Sequence, residues 1–547
     1  MTQEKNLSIG QIISGSFSKG LLLKLNHDFN IEDLKVGEFV IVEGEDKKFF
    51  SMVVDLELNV NNPKIFNYIQ IAKDEFVKDV LKGTSAFGLI HLKPYLMVDK
   101  NTPTNINDDI PKVKTIPSHF SNVHKASKND IEEIFGKDEE LNNNFYIGTP
   151  TEMNVPVCIN LNKFVERSNA VFGKSGTGKS FLSRILLSGI LKKDIASALI
   201  FDMHNEYGWQ GTYETKEGFS SSKGLKQLFT DKVEVFTLDP DNKSYTFKDA
   251  QTLEIAFNQI DVEDLELLKG EIGLSDAAMD HIRMLQREYD VNWFSSILKM
   301  TAGQIEDFAN QYGGNVGSLL GIQRKLNTLV DSVQYLKPVV SYDGIKKIIE
   351  FLKNGKSVVL QFGKLNNVKS YILASNIITR RIHTAYVNMM ETFLLDRSTR
   401  NEPKRLVICI EEAHKFLSPQ VAKFSTFGTI ARELRKYNVT LFIIDQRPSG
   451  IDDEVLSQIG TRATLLLNDE RDINAVFVGE AGGDDLKQIL SQLNPKQEVL
   501  MFGYAMPMPI VLRSRRYDDK FYSDMNTELK LSKEEIIKRG EKALSEL

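Results

Sequence analysis

The chain has 547 residues, of which 41% are hydrophobic and 26% charged, a globular balance that excludes a disordered chain, a collagen-like repeat and a coiled-coil rod. That length allows two to four domains, each with a core of its own. The net charge of −6 argues against a uniformly basic nucleic-acid binder, but it is unevenly spread: residues 1–150 hold 17 basic and 22 acidic side chains, residues 251–300 hold 4 and 10, and residues 351–400 hold 8 and 2.

From the N-terminus, MTQEKNLSIG has no signal-peptide core, and no apolar run reaches the roughly 18 residues of a membrane span. Cys158 and Cys409 are the only cysteines and form no disulfide framework or zinc spacing. The expectation is a soluble, cytoplasmic protein with no membrane partner. Residues 1–96 read as short strands, IGQIISG, GLLLKL, EFVIVEG, FFSMVVDLELNV and FGLIHLKPYLMV, separated by Gly, Asn and Asp turns. A small β-barrel suits them, because closure removes exposed edges. Residues 97–130, rich in Pro, Asn, Asp and Ser, read as a linker or long excursion.

From about residue 145 apolar runs alternate with helical stretches. NAVFG is followed by a helix at 179–191, then SALIFD and VEVFTL; later come SVVLQF, a helix at about 368–390, LVICI, a helix at 420–437, VTLFIID, ATLLL, VLMFGYA and PIVLRS. Strand–helix alternation with continuous apolar strands predicts a parallel sheet covered on both faces, an α/β fold. Residues 249–335 interrupt the alternation with helical segments. The final stretch reads as an exposed helix opened by Ser532 and Glu535, a capping-box pattern. The predicted division is a barrel and linker at 1–130, a first part of the core at 131–248, a helical insertion at 249–335, a second part of the core at 336–514 and a helical tail at 515–547.

Gly173-Lys174-Ser175-Gly176-Thr177-Gly178-Lys179-Ser180 fits the phosphate-binding pattern G-x-x-x-x-G-K-[ST]. Glycines let backbone N–H groups turn toward phosphate oxygens, Lys179 would reach the β- and γ-phosphates, and the Ser180 hydroxyl would ligate Mg²⁺. An apolar strand precedes the loop and a helix follows it. Gly173, Ser175, Gly176, Thr177, Gly178, Lys179, Ser180 and Phe181 are therefore candidates for nucleotide binding, with ATP and Mg²⁺ as cofactors. Asp202, at the tip of SALIFD, is a candidate for holding Mg²⁺-bound water. The LVICI strand ends in Glu411-Glu412. There Glu411 reads as the metal-side acid, acting partly through water, and Glu412 as the general base. Gln446 ends VTLFIID and is placed to sense the γ-phosphate or orient water. Arg432 and Arg435 share a helical face, and an arginine there could reach a neighbouring subunit's nucleotide. EEAH alone looks like the DEAH box of superfamily 2 helicases, but the following segments do not continue that pattern.

Together these segments resemble the HerA family of hexameric ATPases, within the HerA/FtsK group of RecA-like P-loop ATPases. The resemblance rests on FYIGTP (145–150), GKSGTGKS, DMHNEYG (202–208), CIEEAHKFLS (409–418), ARELRKYNV (431–439) and DQRPSGIDDEVLSQIGTR (445–462), in the family's order. It implies an N-terminal HAS-barrel, a homohexamer with ATP between neighbours, and double-stranded DNA threaded through the pore. It points to Arg435 as the finger acting on a neighbour's nucleotide and to Arg167 as a second interface arginine. Glu411 stands where many P-loop ATPases have Asp. The resemblance also implies a partner, a NurA-type nuclease in end processing or a sirtuin-like or nuclease effector in anti-phage defence. Two functions follow: a DNA translocase or helicase motor, or a ring-shaped scaffold that activates an effector docked on the acidic barrel. A chromosome-segregation or conjugation pump fits less well without a membrane segment. Candidate DNA contacts are Lys364, Lys369, Arg380, Arg381, Arg513, Arg515 and Arg516.

Overall fold

A computed structural model describes residues 8–60, 86–100, 111–215, 218–239, 250–365, 367–397, 401–480, 483–496 and 498–525. The predicted C-terminal helix around Ser532 and Glu535 lies outside the described residues. The chain divides into two compact units. One holds Met1–Phe164, Phe172–Gly178 and Gly460–Arg515; the other holds Val165–Val171, Lys179–Ile459 and Arg516–Leu547.

The first unit opens with a closed barrel of six described strands, β1 (Gly10–Ser16), β2 (Gly20–Leu25), β3 (Phe39–Glu43), β4 (Lys47–Val60), β5 (Ala86–Asp99) and β6 (Asn122–Lys125), in the order β1-β2-β5-β4-β3-β6. Alternating residues Leu21, Leu23, Val40, Val42, Ile90 and Leu92 fill its interior. Strand β6 corrects the expectation of a linker across 97–130. It pairs with β1 at Gly10↔Val123 and with β3 at Val42↔Val123, and so closes the barrel. Only Val123 among its four residues is fully buried, so NVHK carries almost no apolar alternation to read. Helix α1 (Lys128–Phe135) follows, capped by a reciprocal Ser127–Asp130 box. The same unit holds β7 (Asn144–Pro150), β8 (Val157–Asn160), β20 (Thr461–Thr464), β21 (Glu498–Gly503) and β22 (Ile510–Ser514), ordered β20-β21-β22-β7-β8 and paired antiparallel. These strands depart from the expected parallel sheet. The ATLLL run leaves the ladder after Thr464, and Leu465 and Leu466 instead bond the backbone of Phe172 and Lys174.

In the second unit the sheet order is β14 (Gln251–Thr252), β13 (Val233–Thr237), β17 (Ser357–Gln361), β10 (Ser197–Asp202), β18 (Leu406–Glu411), β19 (Val439–Asp445) and β9 (Asn169–Phe172). Neighbours from β14 to β19 run parallel. Strands β10, β18 and β19 are buried along their whole length, as a sheet covered on both faces requires. Two short antiparallel or parallel pairs lie outside it, β11 (Gln210–Thr215) with β12 (Gly218–Lys223) and β15 (Ile255–Ala256) with β16 (Leu336–Lys337). Helix α2 (Lys179–Lys192) follows the phosphate loop.

Helices α3 (Val262–Ile272), α4 (Asp276–Tyr289), α5 (Trp293–Lys299), α6 (Ala302–Tyr312) and α7 (Val316–Ser332) fill the region that interrupts the alternation. Ser275, Thr301 and Asn315 cap the N-termini of α4, α6 and α7. After α8 (Gly344–Lys353), the long helix α9 (Val368–Leu395) packs on α3. Helix α10 (Thr426–Glu433) is shorter than the helix expected over 420–437. The backbone turns through 418–425 first, and the Ser425 hydroxyl accepts from the Phe427 N–H to start the helix. A 3₁₀ turn, Leu434–Tyr437, and Asn438 at φ +59° then end it.

Candidate nucleotide site

Strands β10, β18 and β19 end at Asp202, Glu411 and Asp445, and the register Phe201↔Ile410 and Glu411↔Ile444 brings those ends to one edge. Strand β19 lies between β18 and β9, so Gln446 emerges between the acid-bearing strand and the strand that feeds the phosphate loop. Ligands of open parallel sheets bind beyond such carboxyl ends.

The loop itself needs its glycines for conformation. Gly176 and Gly178 hold φ of +75° and +106°, and a Cβ on Gly176 would meet no atom within 4 Å. Thr177 is buried and closes the loop from within. Its hydroxyl and its N–H both donate to the Lys174 carbonyl, at 2.7 and 3.3 Å. Gly173 is buried, while Ser175 and Gly176 are exposed. Lys179 and Ser180 open α2, half-buried. Burial lowers the Lys179 ammonium, opposed by the charges of Glu412, Asp445, Glu411 and Glu206. Phe181 packs on Tyr517, ring centroids 6.1 Å apart.

Glu411 is buried. Its Oε1 accepts from the Tyr207 hydroxyl at 3.3 Å, while its Oε2 has no partner. Burial pushes its carboxyl well up, and the charges of Asp202 and Glu206 add to that. The Tyr371 hydroxyl, from α9, donates to the Glu411 carbonyl at 2.8 Å and accepts from the Glu411 N–H at 3.2 Å. Glu412 sits at φ +51°, an uncommon backbone state for a side chain of this size. Gln446 Nε2 donates to both Glu412 carboxylate oxygens, at 3.0 and 3.2 Å. Beside them the buried Asp445 accepts from the N–H groups of His414 and Arg447, both at 2.7 Å, and from the His414 ring at 3.0 Å.

Asp202 is engaged elsewhere. It is fully buried and accepts from the N–H groups of Glu206, Tyr207 and Gly208 at 2.7, 2.9 and 3.2 Å, and from the Gln361 amide at 3.2 Å. Its four donors shape the loop after β10. Burial still pushes its carboxyl upward.

Within the second unit the residues fit a Mg²⁺–nucleotide: a lysine at the start of α2 lowered by burial, and a buried acid with one unpartnered oxygen. Among the described residues no three His, Cys, Asp or Glu side chains gather as a metal set. A cation here would complete its shell from Ser180, phosphate and water, the habit of Mg²⁺.

Arg167 and Arg435 are not brought to this edge. Arg167 precedes β9, and the backbone of Arg435 lies in the 3₁₀ turn before β19, so both sit at the opposite ends of their strands from the site. The seven residues of β19 alone span about 20 Å. The Arg435 side chain lies outside the described residues. The entry to β9 is tied to β19 by Thr440 Oγ1 donating to the Val165 carbonyl and Leu441 N–H donating to Ser168 Oγ.

Two candidate DNA contacts are corrected. Arg380 pairs with Asp261 and Asp264 and donates to the Gln259 carbonyl, and Arg381 grips Asp343 with two bonds of 2.9 and 2.6 Å. These guanidinium groups join α9 to α3 and to the start of α8. Lys364, Arg513 and Arg516 are exposed, Lys369 is half-buried, and Arg515 lies 4.8 Å over the Tyr146 ring. Sequence reasoning missed Tyr207, Glu206, Tyr371 and His414. The first two lie inside DMHNEYG, where a spacing of four and five from Asp202 is a loop signal; Tyr371 carries none. Among the described residues, no helix is long and apolar enough to cross a membrane.

Comparison with known proteins finds relatives along most of the chain. A family model described as the central domain of helicase HerA matches residues 145–382, and a HAS barrel domain model matches residues 9–86. The chain is 25% identical over 501 residues to the DNA double-strand break repair helicase HerA of Saccharolobus solfataricus, covering 89% of each chain. It is 24% identical over 497 residues to a probable helicase of Methanocaldococcus jannaschii, covering 89% of this chain and 87% of the relative. Among solved structures, the conjugative coupling protein TrwB overlaps 72% of this chain and 92% of its own at a TM-score of 0.46 and 12% identity. With a HAS barrel model matched ahead of a HerA central-domain model and relatives aligned along most of its length, the chain is similar to the HerA helicases.

Proposed function

We propose that this chain is an ATP-hydrolysing motor that moves along or unwinds double-stranded DNA as a ring of six subunits. The observation that carries the reading is the single sheet edge where the strands ending at Asp202, Glu411 and Asp445 meet and Gln446 bonds Glu412. Ser180 and Glu411 are the residues that would hold Mg²⁺, which would supply charge neutralisation for the phosphates. The loop N–H groups and Lys179 bind phosphate. Glu412 takes a proton from water, and Gln446 orients that carboxylate. Arg435 and Arg167 serve a neighbour's nucleotide, which is supported by their place at the far ends of β19 and β9. Duplex DNA as the track is supported by relatives named as DNA double-strand break repair helicases.

The test is ATP turnover with and without duplex DNA across a salt series. Stimulation by DNA, with binding that falls steeply as salt rises, is the expected result. No stimulation and no salt-sensitive binding would remove the motor.

A second role has its own observation. Phe17 and Phe120, 64% and 69% exposed, stand toward the same end of the barrel. Phe120 is held at φ +64° by its N–H bond to the Ile12 carbonyl. Exposed aromatics on a strained backbone favour a docking surface, and we place the partner nuclease or anti-phage effector there. Failure of Phe17→Ser/Phe120→Ser to weaken capture of such a partner would exclude this end.

A further inference from the structure

The loop after β10 presents two acids, and the sequence pattern selects Asp202 as the one facing the metal. The structure distributes them otherwise. Asp202 spends its carboxylate on three backbone N–H groups and the Gln361 amide, with none of its surface exposed. Three of the four donors lie on Oδ2, and the Glu206 N–H donates to Oδ1 at 2.7 Å. The loop they gather turns at Asn205, whose φ is +57°, and carries the Glu206 side chain outward, about one-third exposed.

Among the described residues, the ion pair that holds the Glu206 side chain is with Arg184. Arg184, 3% exposed, rises from α2 one turn beyond Ser180, and its guanidinium lies 3.6 Å from Glu206 Oε2. The same guanidinium donates to Ser222 Oγ at 2.5 Å and is walled by the rings of Phe181, Tyr207 and Tyr517 at 5.4, 5.7 and 5.6 Å. So fixed a cation orients an anion without consuming it, because 3.6 Å is an electrostatic contact rather than a hydrogen bond. Glu206 is also among the four carboxylates whose charge reaches the Lys179 ammonium, and its charge reaches Glu411. Glu411 adds a separate sign of a ligand: it is 6% exposed, and its Oε2 is buried with no hydrogen-bond partner.

We propose that Glu206, rather than Asp202, is the acid this loop supplies to Mg²⁺–ATP, acting with Glu411 through metal-bound water, and that Arg184 is the residue that positions it. The inference rests on the nucleotide site argued above. Asp202 then has a structural task, and the pair Arg184–Glu206 ties the helix that carries Ser180 to the loop that carries the acid.

The test follows binding of a fluorescent ATP analogue to the full chain while Mg²⁺ is titrated. Glu206→Gln should bind the Mg²⁺-free nucleotide as the unaltered chain does but need about tenfold more Mg²⁺ for the metal-dependent gain, the size of effect typical of residues just outside a metal's direct ligands. Asp202→Asn should leave the Mg²⁺ requirement alone and lower the melting temperature. Arg184→Met should raise the requirement, and Arg184→Lys should recover part of it. An unchanged Mg²⁺ requirement in Glu206→Gln overturns the proposal, as does a raised requirement in a folded Asp202→Asn. If the unaltered chain binds no nucleotide, or Lys179→Ala binds it equally well, the nucleotide site itself is wrong and the inference falls with it.

Discussion

The Gln446 amide donates to both carboxylate oxygens of Glu412. A residue at the tip of β19 therefore holds the side chain that follows β18. Gln446→Ala should leave nucleotide affinity within a few-fold and lower ATP turnover by about 10²-fold. Glu412→Gln should also keep affinity and lower turnover by about 10²–10⁴-fold. Equilibrium binding and steady-state turnover measured on the same preparations check both. A Gln446→Ala chain that turns over at the unaltered rate would separate the two residues functionally.

The backbone under Glu412 gives a prediction of opposite sign for stability. At φ +51° the residue occupies a region where glycine carries no Cβ penalty. Glu412→Gly should raise unfolding stability by about 1 kcal/mol while abolishing hydrolysis. Chemical denaturation reads the first effect; a Glu412→Gly chain less stable than Glu412→Gln would contradict it.

His414 supplies a pH dependence. Its bond to Asp445 raises the imidazole above its ordinary value, burial opposes this, Glu412 assists, and Lys415 opposes. A raised folded value means that the charge stabilises the fold fully below about pH 6.5. That contribution is lost as pH climbs through the folded value. The stability difference between the unaltered chain and His414→Gln should therefore shrink as pH rises above about 6.5. A difference that grows over that range would reverse the assignment.

Arg380 is expected to matter for folding rather than for DNA. Asp264 is fully buried, and Asn376 Nδ2 also donates to it at 2.7 Å. Arg380→Ala would leave that carboxylate without its cation, at a cost of about 3–5 kcal/mol. Arg380→Gln with Asp264→Asn should recover much of it. The salt dependence of DNA binding should not change in the double variant, and a reduced slope would return Arg380 to the list of phosphate contacts.

What the sequence discloses here follows from how local each feature is. The strand–loop–helix around Lys179 is written in consecutive residues, and the strands ending at Glu411 and Asp445 are long apolar runs. The neighbourhood of Glu412 and Gln446 also follows once β18 and β19 are taken as adjacent. Strand β6 escapes notice because four residues with one buried valine have no period. The antiparallel strands β20, β21, β22, β7 and β8 escape it because apolar runs do not announce their direction. The engagement of Asp202 depends on the path of the loop behind it, and the clasp of Tyr371 on Glu411 joins residues 40 apart in the chain. Arg380 and Arg381 look like surface charge in the sequence because their acids, Asp264 and Asp343, lie in other helices or caps.

Strand β6 sets where the barrel can be cut. It is the one described strand hydrogen-bonded to both β1 and β3, although it follows the residues matched by the HAS barrel domain model. A fragment ending near residue 100 would bare two rows of backbone N–H and C=O groups, and open edges of that kind recruit other chains. Such a fragment should aggregate or pair edge to edge. One carried through α1 retains the closing strand, and is the form in which binding to the barrel alone can be measured.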